Sequence, residues 1–198
     1  TAGAGCGGCS LVEGSASVVG RPDGAEETVS TGAMYLDSSD YEIMHDGDEQ
    51  VVGITFPSVD IAPGDSLSSV YVLFDVDEVR PGQSDQDVAV SIYGEANVNS
   101  AAPSTTAFDL SSRTPTAANV MWTPEASANV HDDLLTPDIS SIVTEITSMD
   151  GWAAGNPMTI LFGHTSGSGA RWVESARENN GIQTPALMWE TQGAGCGG

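Results

Sequence analysis

Lysine is missing from this sequence altogether. Its five basic residues are all arginine, set against 28 acidic residues, and the formal net charge is -23. A polyanion of this strength repels nucleic acid and anionic membrane surfaces and draws divalent cations, so nucleic-acid binding is excluded. The same acidity also suits a chain adapted to salty water, where screening relieves self-repulsion. Long apolar runs are missing too. No stretch approaches the roughly 20 residues of a membrane helix, and Thr1 is not preceded by a hydrophobic signal region, which fits an exported protein in its mature form. There is no Asn-x-Ser/Thr site, and neither a His-Glu-x-x-His motif nor any paired-ligand spacing relates His45, His131 and His164. No serine sits in a Gly-x-Ser-x-Gly elbow. The run Gly163-His164-Thr165-Ser166-Gly167-Ser168-Gly169 reads as a hairpin turn and lacks the lysine of a phosphate cradle. With no constellation of groups in catalytic roles, the sequence reads as that of a non-enzyme.

Cysteine is scarce and oddly placed. Cys6, Cys9 and Cys196 all lie in glycine-rich segments, and Gly3-Ala4-Gly5-Cys6-Gly7-Gly8 recurs letter for letter as Gly193-Ala194-Gly195-Cys196-Gly197-Gly198. Glycine loses more backbone entropy on ordering than any other residue, so such segments need something to hold them. A disulfide or a neighbouring subunit can do so. Cys6-x-x-Cys9 matches a redox or zinc motif in spacing only, without the helix start or second ligand pair those sites need. An odd cysteine count suggests pairing between chains. Cys196 of one subunit can bond Cys6 or Cys9 of the next, and the competing arrangement is a bond from Cys9 or Cys6 to Cys196 within one chain.

Between these segments the chain is rich in short alternating runs closed by turn residues such as Arg21-Pro22-Asp23-Gly24 and Asp46-Gly47-Asp48. Strands are expected over 15–19, 26–30, 33–36, 41–45, 50–56, 66–76, 88–98, 118–123, 158–164, 171–174 and 185–190. The clearest is 66–76, where Val70, Val72 and Phe74 alternate with Tyr71 and Leu73 in a run apolar on both faces. One segment changes period. Over 138–149 the residues Ile139, Ile142, Val143, Ile146 and Met149 fall on a helical stripe, with Thr136 or Asp138 to cap its start and Gly151 to end it. Length and pattern together predict one all-β domain, an antiparallel β-sandwich of jelly-roll type with a short helix near 138–149, spanning 13–191 between tails at 1–12 and 192–198.

Hard oxygen ligands make calcium the candidate cofactor. Asp23, Glu26, Glu27, Asp37, Asp40, Asp75, Asp77 and Glu78 supply carboxylates at strand ends, although no stretch satisfies an EF-hand loop and a chain this acidic carries solvated carboxylate clusters in any case. Sugar binding needs exposed rings flanked by polar groups. Trp172 beside Arg171, with Tyr41, forms the candidate set, while Trp152 and Trp189 read as core. Arg171 can equally pair with Glu174 inside the fold. Aromatics make up only 6% of the chain, which is thin for a dedicated sugar binder.

The succession Asp23-Gly24-Ala25-Glu26-Glu27, Ser38-Ser39-Asp40-Tyr41-Glu42, Gln50-Val51-Val52-Gly53-Ile54-Thr55-Phe56, Phe74-Asp75-Val76-Asp77-Glu78, Ser112-Arg113-Thr114, Gly151-Trp152 and Arg171-Trp172-Val173-Glu174-Ser175 resembles a module of secreted bacterial surface proteins, similar in outline to the jelly-roll carbohydrate-binding modules. The resemblance covers about residues 13–191. It implies a secreted β-sandwich and a calcium near the first strands, at Asp23, Glu26 and Glu27, and it implies no activity. The expectation is therefore a secreted, extracellular or cell-surface structural subunit whose partners are copies of itself, joined head to tail into a filament or sheath. The alternative is a calcium-dependent module binding extracellular polysaccharide. Neither involves nucleic acid or a membrane.

Overall fold

A computed structural model describes residues 11–20, 23–176 and 183–192. Cys6, Cys9 and Cys196, with both hexapeptides, lie outside the described residues. The described chain forms β1 (Leu11–Ser17), β2 (Gly24–Thr28), β3 (Met34–Tyr35), β4 (Asp40–Ile43), β5 (His45–Asp46), β6 (Asp48–Val59), β7 (Leu67–Glu78), β8 (Val88–Glu95), β9 (Pro115–Trp122), β10 (Asp133–Leu135), α1 (Ser140–Thr147), β11 (Asn156–Gly167), β12 (Arg171–Glu174) and β13 (Ala186–Gln192). One sheet runs β1-β13-β7-β12-β4 with β10 against β7, and the other runs β3-β2-β6-β11-β8-β9 with β5 against β6. Every pairing is antiparallel. The chain changes sheet at most connections, so neighbours in sequence mostly face each other across the core. The expected antiparallel sandwich with one helix is what the chain forms.

Alternation builds the core. On β7, Val70, Val72, Phe74 and Val76 point inward and are buried, as are Val88, Val90 and Ile92 of β8 and Ile54, Phe56, Ile160 and Phe162 of the central strands. These residues belong to a single cluster drawn from both sheets. Phe74 stacks on Trp122 with ring centroids 6.2 Å apart, and Phe162 meets it edge-on at 5.5 Å. The helix closes this core: Ile139, Ile142, Val143 and Ile146 are fully buried. Gly94 of β8 makes the fit possible, because a Cβ there would lie 2.6 Å from Ile146 Cδ1. Ile139 is the N-cap, and the preceding Asp138 accepts hydrogen bonds from Ser140 N at 2.9 Å and Val70 N at 3.0 Å, tying the helix start to β7. Thr136 serves the same strand, its hydroxyl accepting from Val72 N.

Two differences from the sequence reading matter for the site. The strand β10 was not expected; the segment 131–139 runs beside β7, with His131 N donating to Val76 O, Thr136 N to Val72 O and Ile139 N to Val70 O. Leu11 pairs with Gln192, so positions 11, 12 and 192, expected in the tails, lie in paired strands.

Candidate functional site

The first question is where the eight candidate calcium carboxylates go. Glu26 and Glu27 are neighbours on β2 and therefore point to opposite faces of the sheet, so one cation cannot be held by both. Glu27 is fully buried on the outer face, where its Oε2 accepts hydrogen bonds from Leu110 N at 2.8 Å and Ser111 N at 3.0 Å. Those contacts fasten the loop before β9 over the sheet. Leu110 packs there against Ala25, Val51 and Leu161, directly above Gly53, where a Cβ would lie 2.5 Å from Leu110 Cδ2. Arg113 holds the same loop through Glu95 and Asp109, each at 3.0 Å.

Glu26 points the other way, toward Glu42 of the opposite sheet. Its Oε1 accepts from Glu42 N at 2.6 Å, and with its amide turned to satisfy its neighbours Gln50 donates to Glu26 Oε1 and Glu42 O, each at 3.3 Å. Burial, then the adjoining Glu42 carboxyl, hold Glu26 well above the ordinary carboxylate range. The pair lines a polar cleft of about 160 Å³ together with Thr28, Ser38 and Asp48. Asp23 accepts from Val19 N, and Asp40 accepts from the hydroxyl of Ser39. Asp37 lies in the bend after β3. Glu78 pairs with Arg80 at 2.6 Å, and this contact lowers its pKa. The three first-strand carboxylates thus serve different neighbours and do not converge as the resemblance implied.

Asp75 is the exception. It lies on the outer face of β7 beside Asp77, because Phe74 and Val76 point inward. There it meets His131, from the turn before β10, and Glu174, at the end of β12. One ligand atom from each of Asp75, His131 and Glu174 lies within 4.8 Å of the others, the only such group of His, Cys, Asp and Glu among the described residues. His131 Nδ1 lies 3.0 Å from Asp75 Oδ1. Gln183 Nε2 donates to Asp75 Oδ2 at 3.0 Å and sits 2.9 Å from His131 Nδ1. The hydrogen bond to Asp75 raises the His131 pKa against an opposing desolvation cost, with the charges of Asp75, Glu174 and Asp77 in support. The imidazole is 57% exposed while Glu174 is 4% exposed, so the group opens to solvent over a buried floor. Sequence reading took His131 for an isolated histidine, since its two partners lie far away along the chain.

The candidate sugar-binding residues are enclosed. Trp172, Arg171 and Tyr41 are 1%, 2% and 4% exposed. Arg80 covers the Trp172 ring at 4.4 Å. Arg171 donates to four backbone carbonyls, those of Gln86, Pro124, Glu125 and Ala170, rather than to Glu174. No ring of this set offers a face on which a sugar can stack. Trp152 and Trp189 are core residues.

The ends of the sandwich form a second feature. Leu11 and Gln192 are register partners on adjacent strands, so the cysteine-bearing segments start side by side at one end. The strand β1 forms the sheet edge there, with Leu11 and Val12 each 53% exposed. Compared with known proteins, the chain matches no family model and no curated protein.

Proposed function

We propose that the chain is a secreted, extracellular structural subunit that assembles with copies of itself into a filament or sheath, its cysteine-bearing glycine segments making the links. The observation that carries this reading is the pairing of Leu11 with Gln192. Cys9 precedes Leu11 by two positions and Cys196 follows Gln192 by four, so the described chain begins and ends on adjacent strands within a few residues of a cysteine on either side. The other long edge is blunted: Glu145 accepts from Ala117 N and Ala118 N of β9 at 2.8 and 2.7 Å, occupying groups that a foreign strand would need. Among the described residues no acidic side chain caps the edge of β1 in this way, and an extended segment of a second copy can add to it.

Because Leu11 and Gln192 share one end of the sandwich, the head-to-tail picture is refined. A contact between two such ends is self-complementary and closes as a dimer, whereas an open filament needs the cysteine end of one copy to seat on a different surface of the next. The enclosed Trp172, Arg171 and Tyr41 give the glycan-binding alternative no comparable support.

Non-reducing denaturing electrophoresis with negative-stain microscopy tests the reading. The expected result is a covalent ladder that collapses to one 20.3 kDa band on reduction, together with fibres in the unreduced material. A single monomer band that only changes mobility on reduction means that the disulfide closes within one chain, and it removes the covalent link.

A further inference from the structure

We infer that Asp75, His131 and Glu174 form a binding site for a divalent transition metal of the zinc class on the outer face of the first sheet. The donor set is one imidazole nitrogen and two carboxylates, within 4.8 Å of one another. That mixture suits zinc and its neighbours; calcium takes six to eight oxygens and has no use for an imidazole.

The three donors come from three separate segments, and each is fixed by the sheet rather than carried on a free loop. Asp75 is a ladder residue of β7 paired with Asp133. Glu174 ends β12 and pairs with Asp40 of β4. His131 is anchored where its N–H donates to Val76 O at 2.8 Å and Val76 N returns a bond to Asp132 O at 3.1 Å. A site on such anchors needs little reorganisation to take an ion.

The hydrogen bonding around His131 Nδ1 points the same way. Asp75 Oδ1, at 3.0 Å, calls for a proton on that nitrogen, while Gln183 Nε2, at 2.9 Å, brings one of its own. A neutral ring can meet one demand only. A cation between Nδ1 and Oδ1 takes the nitrogen lone pair and the carboxylate oxygen together, and leaves Gln183 to hold Asp75 Oδ2. In that position Gln183 is an outer-shell residue that orients a ligand. Asp77 on the same face adds to the negative field. Three protein donors leave at least one coordination position for water or for a donor from another molecule. The inference stands apart from the assembly reading, since it uses no residue of β1 or of the cysteine segments.

The test is isothermal titration calorimetry of the whole chain with zinc chloride, its thiols first alkylated so that Cys6, Cys9 and Cys196 do not bind the ion. The alkylated protein is expected to take up one zinc per chain. His131→Ala should weaken that uptake by about 100-fold or more, and Gln183→Ala by about tenfold, the scale of losing an outer-shell partner. Calcium in millimolar excess should not displace the zinc. His131→Ala changes an exposed turn side chain and should fold, which far-ultraviolet circular dichroism checks. Cobalt supplies a second readout, because its visible absorption band on binding should be absent in the variant. No zinc uptake by the alkylated protein, or equal uptake by His131→Ala, overturns the assignment.

Discussion

On the outer face of the second sheet, acidic side chains hold a loop in place: Glu27 grips Leu110 N and Ser111 N, and Glu95 and Asp109 flank the largely covered Arg113 side chain. On the outer face of the first sheet, Asp75 and Glu174 converge on an exposed imidazole instead. Both faces draw on the same lysine-free composition. What separates them is cover. The loop before β9 supplies N–H groups and a guanidinium to one set of carboxylates, and nothing in the described chain lies over His131 to the same degree. Acidity alone therefore does not mark a metal site in this molecule; what distinguishes the second group is a histidine nitrogen and two carboxylates brought within 4.8 Å of one another.

The comparison breaks most sharply at Arg113. Its removal leaves Glu95 and Asp109 without their cation in a largely enclosed site, and the cost of breaking a buried pair from one side is about 3 kcal/mol or more. Arg113→Ala should lower the denaturant midpoint accordingly with little change in slope, and a loss below about 1 kcal/mol would show that the loop does not depend on these pairs. His131→Ala, on the other face, should leave the metal-free midpoint nearly unchanged.

A smaller effect sharpens the comparison between the sheets. The Glu26 carboxyl, raised by burial and by Glu42, is protonated in folded and unfolded chains alike at low pH. As pH rises past the ordinary glutamate range, the unfolded chain ionises first, so stability falls until the raised folded value is passed. Glu26→Gln stays neutral throughout and keeps an oxygen to accept from Glu42 N. Thermal melts from pH 4 to pH 8 should show the variant drawing ahead of the parent as pH rises. Parallel curves would mean that Glu26 is ionised at no cost.

Much of this architecture can be read from residue types. The alternation of Val70, Val72, Phe74 and Val76 announces a central strand, and the stripe from Ile139 to Ile146 announces the one helix, because burial on one face enforces those periods. Strand β10 escapes notice; Asp133-Leu134-Leu135 carries no alternation to detect. The site is harder still. A row of carboxylates says nothing of which face each one takes or what it meets, and Glu27, which reads as a surface acid, turns out to be fully buried. His131 lies 56 positions from Asp75. Only the run of 131–139 along β7 brings them together, and that pairing is set by the sheet rather than by local spacing.

The most direct measurement of the difference between the faces is an anomalous difference map, recorded at the zinc edge, from crystals of the alkylated protein grown with zinc. The account predicts a peak about 2.0 to 2.2 Å from His131 Nδ1 and from an oxygen of both Asp75 and Glu174, with none beside Glu27 or Arg113. A zinc peak in the Glu26–Glu42 cleft with the His131 position empty would contradict it.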